Sequence, residues 1–108
     1  MFIKQPNESF KIAFRSKIKG LTNTDFTVLC EKMSDLSTVE LNTSVSEILR
    51  GEQSSGDYVV SGFSFAIEGD YLLSITSEAH NIALKTMISI RENVVASGAT
   101  EENFGIIY

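Results

Sequence analysis

The residues best suited to chemistry in this chain are few and far apart. One cysteine, Cys30, and one histidine, His80, stand fifty positions from each other. A thiol nucleophile needs a base held beside it, and nothing in this spacing marks such a pair. A zinc site draws on several His, Cys or carboxylate ligands at set intervals, which one His and one Cys do not supply. Glu31, Glu40 and Glu47 fall at regular intervals across turns and outer strand faces, which is not the arrangement of an acid–base pair. The remaining candidates are Asp57 and Asp70, each inside a Gly-Asp-Tyr triplet, Gly56-Asp57-Tyr58 and Gly69-Asp70-Tyr71. Two carboxylates meeting at one end of a fold would begin an all-oxygen cation site. No third ligand is marked, and no stretch has EF-hand spacing. A glycine-rich phosphate loop is also missing. The expectation is a protein that is not an enzyme and uses no cofactor and no metal.

Charge narrows the partners. The chain has 108 residues, a formal net charge of −5 and nine basic residues without a dense cluster. Nucleic-acid affinity rests on many positive contacts to phosphate, so no nucleic acid is expected. Lys11, Arg15, Lys17 and Lys19 share odd numbering and would line one face of a strand, the solvated outer one. No apolar run is long enough to span a bilayer, so no membrane insertion is expected. The opening residues "MFIKQPNESF" have no apolar signal-peptide core. A single cysteine allows no internal disulfide, which fits assembly in a cytoplasm.

The elements that would position any site are strands. In "SFKIAFRSKI", Phe10, Ile12, Phe14 and Ile18 fall on one parity, with Lys11, Ala13, Arg15 and Lys17 on the other. Phe26, Val28 and Cys30 alternate likewise, which makes Cys30 a small buried hydrophobe. "TVELNTSV" reads as a strand through Val39, Leu41 and Val45. Ile82, Leu84, Ile88 and Ile90 form the clearest row, interrupted at Thr86 as at a bulge or sheet edge. "SVSEILRG" has Ser44 three residues before Glu47, the capping-box spacing, with Gly51 as a stop. It predicts one short helix near 45–50.

The repeated triplets read as strand starts. Parity changes at Ser61-Gly62, which predicts a β-bulge. Ile67 to Tyr71 reads as a hairpin turn with Gly69 at positive φ. Tyr58 and Tyr71 would cover the core and direct their hydroxyls to a partner. The whole chain, residues 1–108, reads as one all-β domain of about seven antiparallel strands, either two packed sheets or a small barrel.

"GLTNTDFTVLCEKMSDLSTVEL" and "EGDYLLSITSEAHNIALKTMISIREN" resemble immunoglobulin-like β-sandwich domains of phage virion proteins, found in tails, collars and baseplates. The resemblance covers residues 9 to 92 and rests on the order of Gly69-Asp70-Tyr71, an alternating strand, a polar loop and a final long strand. The sequence departs from the family pattern in lacking Trp and an inter-sheet disulfide, and in having Ile67 where an aspartate is usual near a tyrosine corner. The resemblance implies a virion protein assembled in the host cytoplasm, a structural or adaptor component. Its partners would be copies of itself, as a homo-oligomer, or other virion proteins.

The ends of the chain carry the candidate contacts. "NFGIIY" is apolar where chain ends are commonly polar. Phe104, Ile106, Ile107 and Tyr108 are the first interface candidates, with Phe2 and Ile3 second, and the segments 1–8 and 93–108 are the candidate contact arms. Such a terminal strand either completes the domain's own sheet or adds to that of a neighbour. The alternative function is a module binding a carbohydrate or cell-surface ligand through loops at one end, including His80 and Asn81 in the polar stretch "TSEAHNIA".

Overall fold

Alternation by twos is realised as eight strands in a computed structural model that describes residues 2–92 and the backbone of 101–107. These are β1 (Phe2–Lys4), β2 (Phe10–Ser16), β3 (Thr27–Lys32), β4 (Ser44–Arg50), β5 (Gln53–Phe63), β6 (Gly69–Ser77), β7 (Ile82–Ile90) and β8 (Glu101–Ile107). They form two four-stranded sheets, ordered β1-β7-β6-β3 and β4-β5-β2-β8. Only β4–β5 and β6–β7 are consecutive partners in one sheet; every other connection crosses between sheets. The pairings are antiparallel except β1 with β7 and β2 with β8, which are parallel.

Both sheets contribute to one core. Phe10, Ile12 and Phe14 of β2 are buried, as are Ile82, Leu84, Ile88 and Ile90 of β7, in agreement with their parity. Phe14 stacks on Tyr58, centroids 5.3 Å apart, and Phe26 meets both rings edge-on. Cys30 is buried, as its alternation predicts.

Several expectations are corrected. Residues 44–50 form strand β4 and not a helix. Seven residues are too few for a helix without tertiary support, and here the support comes from β5. Val45 enters the core opposite Val60, and Glu47 accepts hydrogen bonds from the N–H groups of Gly20 and Gly56 instead of capping its own turn. "TVELNTSV" is not one strand. Thr38 makes a single bridge to Glu31, Val39 and Leu41 pack against the core within a connection, and the strand begins at Ser44. Thr86 stands in regular register opposite Leu73, with no bulge, in a strand flanked on both sides.

The glycine positions are informative in a different way from the one the triplets suggest. Gly69 has φ 149, but Ile67 to Tyr71 is a crossover between sheets and not a hairpin. Gly56 lies inside β5, where pairing passes from Ile48–Asp57 to Leu49–Ser54 and leaves Ser55 and Gly56 as a bulge. The bulge at Ser61-Gly62 is present. Pairing passes from Phe10–Phe63 to Ile12–Val60, so one extra residue lies on β5, and Gly62 has φ 100.

Candidate assembly interface

The last strand is added to an edge. β8 runs parallel to β2, with Lys11 opposite Glu101, Ile12 opposite Glu102 and Ala13 opposite Asn103. After an irregularity between Ala13 and Arg15, Arg15 pairs with Ile106 and Ser16 with Ile107. Parallel neighbours cannot be joined by a tight turn. Here the chain leaves β7 in one sheet at Ile90 and rejoins the other at Glu101.

Of the predicted contact residues, Phe104, Ile106 and Ile107 belong to β8, and Tyr108 lies outside the described residues. Phe2 and Ile3 are in β1, parallel to β7 at the edge of the other sheet. Phe2 packs against the core and Ile3 is 41% exposed. Since β8 also approaches β7, both terminal strands lie on one flank of the molecule. The last residue of β1 was missed: Lys4 is fully buried, its ammonium 3.6 Å from a Glu8 carboxylate oxygen and 5.3 Å from the centre of the Phe10 ring. The signal was its shared parity with Phe2.

The basic stripe is only partly a stripe. Lys11 and Arg15 are exposed on the outer face of β2, while Lys17 and Lys19 lie beyond its end. Ala13 between them is buried at 6%, with Val59 on one side and Asn103 on the other in the register. Arg15 is engaged: its Nε lies 2.5 Å from Asp57 Oδ1, and Arg50 Nη2 lies 2.9 Å from Asp57 Oδ2. Hydrogen bonds from Arg15 and then Arg50 hold the Asp57 carboxyl below its usual range.

Asp70, in the second triplet, is also held by an arginine, with Arg91 Nη2 and Ser89 Oγ each 2.8 Å away. The two triplet aspartates thus serve separate ion pairs. His80 sits in a single 3-10 turn between β6 and β7, its Nε2 3.9 Å from Asp25 Oδ1 in the β2–β3 connection. Backbone N–H donation from Thr22 keeps Asp25 ionised to lower pH than usual. Asn81 takes φ 55 to re-enter β7, a turn role. Among the described residues no three His, Cys, Asp or Glu side chains gather as metal ligands, and no helix is long and apolar enough to cross a membrane.

Comparison with protein-family models, with curated proteins and with solved structures returns no match.

Proposed function

We propose that this protein is a non-enzymatic structural or adaptor subunit with an immunoglobulin-like β-sandwich, working in a phage particle by joining to copies of itself or to a neighbouring virion protein. The observation that carries the reading is β8, a C-terminal strand laid parallel on the edge of β2 after a connection between sheets. Main-chain hydrogen bonds at an edge do not distinguish the chain's own strand from that of a neighbour, so such a strand can be exchanged.

The sandwich class is supported by the order of strands, with one consecutive hairpin pair in each of two sheets and the other neighbours joined by crossovers. It is also supported by Tyr71, whose hydroxyl bonds back to the Ile67 carbonyl at the start of β6, the arrangement of a tyrosine corner. The particle setting rests on the resemblance of residues 9 to 92.

Light scattering of the full chain over a wide concentration range, beside a chain lacking residues 101–108, tests the reading. The full chain is expected to self-associate and the truncated chain to do so more weakly, both keeping a β circular-dichroism spectrum. A full chain that stays monomeric throughout and captures no neighbouring subunit contradicts the proposal.

A further inference from the structure

The outer face of the β1-β7-β6-β3 sheet exposes apolar side chains beside four charged ones. Register and burial define it. Leu29 of β3 stands opposite Ser74 of β6, which stands opposite Lys85 of β7; in the next row Glu31, Leu72 and Met87 are aligned. β1 adds Ile3 beside Ser89. Leu29 is 39% and Ile3 41% exposed, while Leu72 and Met87 are half-buried. At one end Asp70 and Arg91 neutralise each other at 2.8 Å. Glu31 and Lys85 remain, one on each side of β6, and neither makes an ion pair within the described residues.

We propose that this face joins two copies of the chain front to front, about a two-fold axis crossing β6 between Leu72 and Ser74. The charges favour a second copy as the occupant. Glu31 and Lys85 lie on opposite sides of β6, one in the Leu72 row and one in the Ser74 row. A two-fold axis lying between the faces, perpendicular to the line that joins them, sets Glu31 of one copy over Lys85 of the other. Symmetry supplies the reciprocal pair, as an isologous interface requires. Leu72, Ser74, Leu29 and Met87 then lose water beside the axis, and the two ion pairs that flank it are matched across the contact and fix the orientation. Strand rise and spacing give the four unequal strands a face of about 430 Å², or on the order of 1,000 Å² for the pair, at the lower limit for a specific contact. The inference rests on the reading that the protein assembles with itself, and names a surface other than the strand edge.

Sedimentation equilibrium of the full chain decides it, with Glu31→Lys, Lys85→Glu and the double reversal, each checked for fold by circular dichroism. Both positions lie on the sheet's outer surface, so the reversals spare the core. Each single reversal sets like charges across the axis and is expected to weaken dimerisation by about tenfold or more. The double reversal exchanges the partners and is expected to restore it. Singles without effect, or a double no better than the singles, overturn the face while leaving strand-mediated assembly standing. A wild-type chain monomeric at every concentration overturns the face together with self-assembly.

Discussion

Tyr71 donates its phenolic hydrogen to the main-chain carbonyl of Ile67, four residues upstream and 2.6 Å away. The bond closes the crossover from β5 to β6, so the chain enters the second sheet at a fixed angle. Packing holds the ring in place: Tyr71 is 3% exposed and its centroid lies 4.5 Å from that of Phe65. Burial raises the phenol's pKa above its ordinary value, which keeps it a donor over the whole neutral range.

Tyr71→Phe keeps the ring and removes the donor, leaving the Ile67 carbonyl without this partner. The expected cost is about 1–2 kcal/mol, seen as a lower urea midpoint with an unchanged slope. An unchanged midpoint would mean that packing alone fixes the crossover.

Gly62 is required by its surroundings as well as by its backbone. At φ 100, a Cβ there would collide with the Asn42 carbonyl oxygen and lie 3.1 Å from Thr43 Cα, both main-chain atoms with little room to yield. Gly51, in the β4–β5 turn at φ 68, has open space around it. Gly62→Ala is therefore expected to cost more than 2 kcal/mol, against about 1 kcal/mol for Gly51→Ala. Thermal unfolding of the two variants compares them directly, and equal losses would contradict the steric account.

What could be read from the sequence was set by side-chain parity. Rows such as Phe10, Ile12 and Phe14 faced the core because a pleated strand leaves them no other choice, and the slip at Gly62 was visible as a change of parity. Sheet membership was not visible. Glycine and aspartate terminate a strand in the same way whether the next strand pairs beside it or crosses to the other layer, so Ile67–Tyr71 read as a hairpin. The spacing of Ser44 and Glu47 was misleading because a capping box counts only local partners, whereas Glu47 bonds to Gly20 and Gly56, distant in sequence. For the candidate interface, the terminal apolar residues could be singled out, but not the strand they pair with. The Glu31–Lys85 arrangement depends on three strands in register, which only the folded sheet provides.

Cys30 links burial to pH. At 2% exposure, its thiol is pushed up to about 11 by desolvation first and by the neighbouring Glu31 charge second. In the unfolded chain an ordinary thiol ionises near 8.5. Its folded pKa is the higher one, so the stabilising effect is complete below about 8.5 and is lost as pH rises toward 11. The Cys30→Ala variant lacks this dependence. Urea midpoints of wild type should fall relative to Cys30→Ala across that window, and the native thiol should resist a maleimide at pH 8 until the protein unfolds. Rapid labelling of the folded protein would show that the side chain is reachable.

Asp57 gives the opposite dependence. It accepts from Arg15 and Arg50 on an outer sheet face, and those hydrogen bonds hold its carboxyl below the normal range. A depressed carboxyl contributes stability above the unfolded value, near 3.9, and loses that contribution as pH falls through the folded value. Asp57→Asn should therefore be less stable than wild type at neutral pH, with the gap closing as both are acidified. The arginine side chains are 55% and 69% exposed, so ions screen the pairs, and the gap should also narrow in about 1 M salt. Denaturant midpoints for both proteins along a pH series, at low and high salt, measure this. A gap independent of both pH and salt would assign the effect of the substitution to lost packing and remove the two-arginine clamp as a source of stability.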